Sequence, residues 1–165
     1  MDAKKLEEIC IKHIKWINNE DGGERANLYG ANLYGANMSG VNLYQADLSG
    51  AENADYAKAQ TVIVTHGSII GWKKAKCETG DCIIKLRIPD EAKRSNASGR
   101  KCRAEYADVL EIIGAEKAWS WYDRAFIYEA GKRVTANNFD DNRFNECSAG
   151  IHFFITREEA EGYSL

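Results

Sequence analysis

Residues 26–55 read ANLYG-ANLYG-ANMSG-VNLYQ-ADLSG-AENAD, a pattern that repeats every five residues and decays in its last unit. A period of five fits neither an α-helix nor the simple alternation of a β-strand. Each unit places a small residue two positions before a larger apolar one, with Asn or Asp between them. The small residues are Ala26, Ala31, Ala36, Val41, Ala46 and Ala51, and the larger ones are Leu28, Leu33, Met38, Leu43 and Leu48. Two inward positions per unit predict a square coil with an apolar interior.

Four of the units end in glycine, at Gly30, Gly35, Gly40 and Gly50. Glycine adopts backbone conformations that other residues avoid, and repeated corners need that freedom. The glycines therefore predict a corner at the end of each of these units.

The five-residue units resemble those of pentapeptide-repeat proteins, whose fold is a right-handed quadrilateral β-helix with four units per coil. The resemblance implies that each coil takes about 20 residues, so that Leu28 lies over Leu48. The best-known function of this family is mimicry of DNA by a long, acidic rod that binds a topoisomerase. The stretch here is only about one and a half coils long and carries few charges, so we expect it to serve as a scaffold.

The composition excludes several classes of protein. The chain has 165 residues, with 22 basic and 25 acidic side chains and a net charge of −3, which argues against a surface that binds nucleic acid everywhere. It has no long apolar run and no apolar signal segment at its start, so we expect a cytoplasmic protein without membrane contact. Its five cysteines are scattered, which favours reduced thiols over a disulfide framework.

An amphipathic helix is predicted before the repeats, because apolar residues recur there at helical spacing: Leu6, Ile9, Cys10, Ile14 and Ile17. Asp2 can cap its first turn. His13 and Trp16 are expected at the edge of the apolar stripe. A helix in this place would cover the exposed end of the coil. We therefore expect a capping helix at 1–22, a repeat coil at 23–60 and a C-terminal domain at 61–165.

The C-terminal part contains short runs of β-branched and aromatic residues between turn signals. The predicted strands are 61–72, 82–88, 102–113, 125–129, 132–136 and 150–155, and the fifth is expected to pair with the fourth through a turn at Ala130 and Gly131. Thr156 and Glu159 predict a capping box at the start of a final helix. The expected fold class is α+β, mainly β: a short quadrilateral β-helix with an N-terminal helical cap, followed by a small β-rich α+β domain.

Three stretches of the C-terminal part resemble an uncharacterised domain. They are IPDEAKR at 88–94, KCRAEYADVLEI at 101–112 and ECSAGIHFFITREEA at 146–160. The domain follows short pentapeptide stretches in proteins of phages, large viruses and gut bacteria. The resemblance implies a viral or bacterial cytoplasmic setting, and it implies no activity and no catalytic residue.

The cysteines allow three interpretations. Cys77, Cys82 and Cys102, with Cys147 or His152, could supply ligands for tetrahedral zinc, although the spacing is looser than in known motifs. Cys147 and His152 could instead act as a nucleophile and its base, but no orienting acid beyond Glu146 is evident. Buried apolar thiols are the simplest interpretation, so we expect no metal, no cofactor and no catalytic residue.

A basic, turn-rich run at 93–103 is the main candidate for binding a phosphate or a nucleic-acid backbone. Its cations are Lys93, Arg94, Arg100, Lys101 and Arg103. We expect a solvated, flexible loop, because acidic residues balance basic ones from residue 61 onward. Trp119 and Trp121 are expected either in the core or on a surface that contacts a partner.

Together these patterns predict a non-enzymatic protein-interaction module whose partner is another protein. In a phage, its natural role would be to bind and modulate or inhibit a host protein, such as a defence component, in the host cytoplasm. One alternative is a ligand-binding or catalytic domain that uses Cys102, Cys147 and His152. Another is nucleic-acid or phosphate binding through 93–103.

Overall fold

The computed structural model describes residues 1–38, 41–43, 45–96, 99–145 and 147–164. The helices are α1 (Ala3–Ile17), α2 (Ala54–Ala59) and α3 (Arg157–Gly162). The strands are β1 (Ile69–Cys77), β2 (Gly80–Ile88), β3 (Arg94–Asn96), β4 (Cys102–Ala104), β5 (Tyr106–Ile113), β6 (Lys117–Trp119), β7 (Ile127–Glu129), β8 (Arg133–Thr135) and β9 (Ile151–Phe153). The chain is therefore mainly β with few helices, which confirms the α+β class. No helix within the described residues is long and apolar enough to cross a membrane.

The chain divides into two compact units. The first consists of Met1–Ile63, Asn96–Gly99 and Asn142–Glu146, and the second of Val64–Ser95, Arg100–Asp141 and Cys147–Leu165. The first unit therefore combines the N-terminal helix and the repeats with two short later segments. The finer division into 1–22, 23–60 and 61–165 stays a prediction.

In the first unit, α1 begins where the sequence predicted, because the Asp2 side chain accepts a hydrogen bond from Lys5 N at 2.8 Å. The buried face of the helix differs from the prediction. Ile14 is exposed, and His13, expected at the edge, is fully buried. His13 Nδ1 accepts a hydrogen bond from Ala26 N at 3.1 Å. This partner lies outside the helix, so helical periodicity could not reveal it.

The repeats show a twenty-residue register. Parallel bridges join Asn27 to Asp47 and Asn32 to Glu52. The amide of Leu28 donates to the Asp47 carbonyl at 2.7 Å, in line with these bridges. This spacing agrees with the coil length that the resemblance implied. A closed quadrilateral β-helix stays a prediction.

The Asn and Asp residues of the repeats have a local role that sequence analysis missed. Their Oδ1 atoms accept hydrogen bonds of 2.9–3.0 Å from the amides two residues later, at Asn27, Asn32 and Asp47. Short polar side chains of this kind stabilise turns by replacing a backbone acceptor. The second residue of each of these units therefore fixes the bend that follows it.

The corners of the repeats use left-handed backbone conformations. Gly30, Gly35 and Gly50 have φ angles of 60°, 69° and 64°, which confirms their predicted role. Gln45 adopts a φ of 55° at the same position of its unit, where glycine is missing. Gly40 lies outside the described residues.

The interior of the first unit is a cluster of buried apolar side chains: Leu6, Leu28, Leu33, Met38, Leu43 and Ala54. α1 contributes Leu6 and α2 contributes Ala54, so both helices pack against the apolar residues of the repeats. Leu48 is only half-buried. The unit that follows it, AENAD, offers no large apolar residue to cover it further.

The second unit is built on a six-stranded sheet in the order β7-β6-β1-β2-β5-β8. β1 and β2 form an antiparallel hairpin in which Cys77 pairs with Gly80. Ile84, Leu86 and Ile88 of β2 are fully buried, so this strand lies where the sequence predicted. β1 begins later than predicted, at Ile69. A smaller sheet has the order β3-β4-β9.

The predicted hairpin between 125–129 and 132–136 is wrong. β7 pairs with β6, and β8 pairs with β5. Val134 of β8 is buried opposite Ala107, and Arg133 lies opposite Asp108. A tight turn does join the two segments, but burial and charge pairing direct β8 to a different partner.

Asp108 lies between two arginines across the sheet. Its carboxylate accepts hydrogen bonds from Arg133 Nε at 2.6 Å and Arg87 Nη2 at 2.7 Å. The bond from Arg133 and then that from Arg87 outweigh partial burial and lower the pKa of Asp108 to about 2. A lowered pKa stabilises the folded state above pH 4, and this contribution disappears as the pH falls toward 2.

We therefore expect Asp108→Asn to lower the free energy of unfolding by about 1 kcal/mol at pH 7, a figure reduced for the exposed arginines. The difference from the unsubstituted chain should shrink between pH 4 and pH 2. Urea denaturation across this range measures it. Glu111→Gln on the same strand is the control, because Glu111 forms no ion pair within the described residues. Equal losses for the two variants would contradict the role of Asp108.

Candidate functional site

The second unit contains a cavity of about 140 Å³ whose walls combine lysines with aromatic side chains. We call it the lysine cavity and define it by Lys73, Lys74, Lys101, Tyr122, His152 and Tyr163. Of these residues, sequence analysis had named Lys101 and His152. Trp121 lines the same cavity, so three of the predicted site residues meet there.

Lys73 is the most unusual residue of the lysine cavity. It lies on the inward row of β1 among small or buried residues, between Gly71 and Ala75. Its Nζ donates to the His152 carbonyl at 3.3 Å and lies 5.9 Å from the centre of the Tyr128 ring. Burial, and secondly the charge of Lys101, lower the pKa of Lys73 to about 8. The ammonium group is therefore still mostly protonated at pH 7.

Lys101 is held by a phenol and a thiol. Its Nζ donates to Tyr163 Oη at 3.0 Å and lies 3.9 Å from Cys147 Sγ. Burial would lower the pKa of Lys101, but its hydrogen bond to Tyr163 and its interaction with Cys147 outweigh burial, so the pKa of Lys101 is raised. Tyr163 also forms a side-chain hydrogen bond with Tyr122. Lys101 is thus a permanent cation in the lysine cavity.

Lys74 has a structural role in the same place. Its Nζ donates to the carbonyls of Glu161 and Tyr163 at 3.0 and 3.1 Å, and lies 3.9 Å from Asp81. These bonds connect β1 to the end of α3. Lys74 therefore fixes the position of Tyr163 against the lysine cavity.

A second surface lies around the tryptophans of the same unit. Trp119, half-buried at the end of β6, pairs with Ile127 of β7, and Trp121 follows two residues later. Arg124 lies 5.1 Å from the Trp119 ring centre, and Lys76 lies 3.7 Å from that of Trp121. We call Trp119, Trp121, Arg124 and Ile127 the tryptophan surface. With exposures of 37% for Trp121 and 50% for Ile127, it is not part of the core.

The basic run at 93–103 is more ordered than predicted. Parts of it form β3 and β4, while residues 97 and 98 lie outside the described residues. Arg94 pairs with Asp90 at 2.9 Å, and Arg100 pairs with Glu159. The predicted flexible loop is therefore wrong for the described strands, whose residues take part in sheet pairing.

Two other cations of this run, Arg103 and Lys93, differ in their exposure to solvent. Arg103 is buried, and its guanidinium donates to the carbonyls of Asp140 and Ala149 at 2.9 Å each. Lys93 is exposed. Nucleic-acid binding through 93–103 stays a prediction, but the burial of Arg103 removes one of its five cations from the surface.

The predicted zinc ligands lie in different places. Cys77 and Cys82 are close neighbours in the β1–β2 hairpin, and Cys77 Sγ lies 3.3 Å from Thr79 Oγ1. Cys102 is buried in β4, where its thiol donates to the Arg100 carbonyl. The described part of the chain holds no cluster of three or more His, Cys, Asp or Glu side chains that could bind a metal.

The buried-thiol interpretation holds for only some of the cysteines. Cys77, Cys82 and Cys102 are buried, whereas Cys147 is exposed. Burial raises the pKa of Cys82 and of Cys102 to about 12. These two are therefore poor nucleophiles at neutral pH. The thiol of Cys147 lies 3.9 Å from the Lys101 ammonium group. Its predicted role as a nucleophile with His152 as the base stays a prediction.

Sequence analysis missed Lys73, although a signal for it exists. In β1, inward positions alternate through Gly71, Lys73, Ala75 and Cys77. A lysine among small inward-facing residues is unusual, because buried charges need compensation. A lysine at an inward-facing position can be recognised only when the bounds of the strand are known. The predicted strand at 61–72 stopped one residue short of Lys73.

Comparisons with known proteins find two families in this chain. A profile for a family of unknown function, DUF5758, matches residues 59–160, and one for pentapeptide repeats matches residues 24–52. The chain is thus a repeat protein joined to a second domain. Since the first match covers more than half of its length, it belongs to the DUF5758 family. No curated protein and no solved structure matches it.

Pentapeptide repeats are generally protein-interaction or structural modules. The DUF5758 description assigns no function. The predicted phage, viral or gut-bacterial setting and the cytoplasmic location stay predictions.

Proposed function

We propose that this protein is a non-enzymatic protein-interaction module, in which the repeats serve as a scaffold and the second unit binds the partner. The observation that carries the proposal is the tryptophan surface. Tryptophan and arginine are enriched among the residues that contribute most to binding at protein interfaces. Here both occur next to an exposed aliphatic side chain.

The surroundings of the tryptophan surface support this role. Trp119, Arg124 and Ile127 line an open groove of about 590 Å³. Cations over the faces of Trp119 and Trp121 restrain both rings, so less side-chain freedom is lost on binding. We expect the partner to insert an apolar side chain into this groove. In a phage setting the partner would be a host protein whose activity is modulated or inhibited.

We further propose that residues 24–52 begin a right-handed quadrilateral β-helix. The twenty-residue register and the left-handed corners support this geometry. So short a coil depends on α1 and α2 to cover its apolar residues, which suits a scaffold better than a DNA-like rod.

The interaction is tested with Ile127→Asp in the full-length chain. A carboxylate in the lining of the groove should weaken partner binding at least tenfold, because burying an unpaired carboxylate is unfavourable. The partner is first captured by cross-linking in cells of the natural source, then purified, and its dissociation constant is measured with each variant.

The matched control is Leu110→Asp, which places the same charge at an exposed aliphatic position of β5 in the same unit. Leu110 is 42% exposed, close to the 50% of Ile127, so both variants should fold. Binding should survive Leu110→Asp. If Ile127→Asp binds as tightly as Leu110→Asp, or if no purified protein binds the chain, the proposal fails.

A further inference from the structure

The lysine cavity holds more positive charge than the described residues compensate. Lys73 and Lys101 form no ion pair with any described carboxylate. Lys74 and Lys76 of the same strand differ, since Asp81 lies 3.9 and 2.5 Å from their ammonium groups. Two cations of the described residues therefore share one small cavity without forming an ion pair there.

The acidic side chain that lines the cavity does not relieve this imbalance. Asp123 is the acidic residue among the described lining residues, and its Oδ1 accepts a hydrogen bond from Ala125 N at 2.9 Å. The partner of Lys73 is a carbonyl at 3.3 Å, a long hydrogen bond for an ammonium group. Charges in partly buried positions are normally paired, so this arrangement favours an external anion.

We propose that the lysine cavity binds the phosphoryl group of a phosphate monoester. A phosphoryl group carries a charge of about −1.5 to −2 at pH 7, which matches two ammonium groups. A carboxylate would compensate only one of them. The phosphoryl oxygens accept several hydrogen bonds at once, and Lys73, Lys101 and one phenol of the Tyr122–Tyr163 pair line the cavity as donors.

The size of the cavity limits how much of the ligand it encloses. A volume of about 140 Å³ is small beside the roughly 300 to 1,000 Å³ of pockets that enclose drug-sized ligands. It accommodates a phosphoryl group but not a whole nucleotide. The organic part would therefore lie outside, against Trp121 and the exposed Tyr122. An aromatic or similarly flat group suits these rings.

The inference is independent of the proposed protein interaction, because inorganic phosphate and phenyl phosphate are sufficient probes. Binding is measured by calorimetry at constant ionic strength, so that screening does not vary. We expect saturable binding of both probes, tighter for phenyl phosphate. Lys73→Met and Lys101→Met should each weaken binding at least tenfold. Two variants keep the test informative if one of them does not fold.

The matched control is Lys85→Met on the neighbouring strand β2. Lys85 is also a half-buried lysine beside an aromatic ring, with its Nζ 5.5 Å from the centre of Trp72, but it does not line the cavity. The affinity of Lys85→Met for phenyl phosphate should lie within twofold of that of the unsubstituted chain. Without anion, Lys73→Met should unfold at the same or a higher temperature, because it removes a repelled, poorly solvated charge.

Two further ligands test whether the cavity prefers phosphate to carboxylate, and whether the phosphate belongs to a protein or to a small ester. Phenylacetate, a carboxylate of similar shape, should bind at least tenfold more weakly than phenyl phosphate. A short phosphotyrosine peptide that binds more tightly than phenyl phosphate would indicate a phosphorylated protein, and equal affinity a small phosphate ester. The proposal is overturned if phosphate and phenyl phosphate do not bind saturably, if phenylacetate binds equally well, or if Lys85→Met loses as much affinity as Lys73→Met.

Discussion

Leu28→Ala is expected to lower the free energy of unfolding of the first unit by about 2 to 5 kcal/mol. Leu28 is 1% exposed and belongs to the apolar cluster at the centre of the repeats. Its amide is bonded to the Asp47 carbonyl, so the backbone cannot easily move inward to fill the cavity that alanine leaves. Urea denaturation followed by far-ultraviolet circular dichroism measures the loss.

The matched control is Leu48→Ala, the same substitution twenty residues later. The sequence alone predicts that both leucines are buried and that both changes are costly. In the structure Leu48 is half-buried, so its loss should be clearly smaller than that of Leu28. Equal losses at the two positions, or a loss for Leu28→Ala within about 0.5 kcal/mol, would contradict the arrangement of the repeats.

Gly71→Ala is expected to lower the stability of the second unit by about 1 to 3 kcal/mol, because the new methyl group has no space. A Cβ atom at this position would lie 2.5 Å from Cδ2 of Phe153, which is fully buried. The neighbouring residues hold the two segments together, since Trp72 and Phe154 exchange backbone hydrogen bonds of 2.8 and 2.7 Å. The ring therefore cannot move away easily. Thermal and urea denaturation measure the effect.

Two further variants test this explanation. Gly162→Ala, at the last residue of α3, has no heavy atom near its new methyl group and should leave stability almost unchanged. Adding Phe153→Leu to Gly71→Ala should cost less than the sum of the two single changes, because the smaller side chain makes room for the methyl group. Additive losses would show that the contact between residues 71 and 153 does not cause the effect.

Features that depend on neighbouring residues were predicted well. The five-residue period correctly indicated that Leu28, Leu33 and Leu43 are buried, although Leu48 is only half-buried, and glycine marked the left-handed corners. Asp2 caps α1, and Thr156 forms the predicted capping box with Glu159. In each case the interacting groups are only a few residues apart, so chain geometry brings them together in almost any surrounding fold.

The candidate site was predicted only in part. Lys101, Trp121 and His152 were named from local composition, and all three line the lysine cavity. Lys73 was missed because its importance depends on a strand register and on a second lysine that lies 28 residues away in the sequence. Arg103 was expected in solvent, but two carbonyls far along the chain hold it in the interior.

The repeats, their corners, the helix caps and the mainly β character of the second unit could thus all be predicted from the amino-acid sequence. These features follow from periodicity and from hydrogen bonds between residues close in the chain. The pairing of β8 with β5, the burial of His13 and the meeting of two lysines in one cavity became evident only from the folded chain. Those outcomes depend on which distant residues compete for the same burial, hydrogen bonds and charge, and no local pattern contains that information.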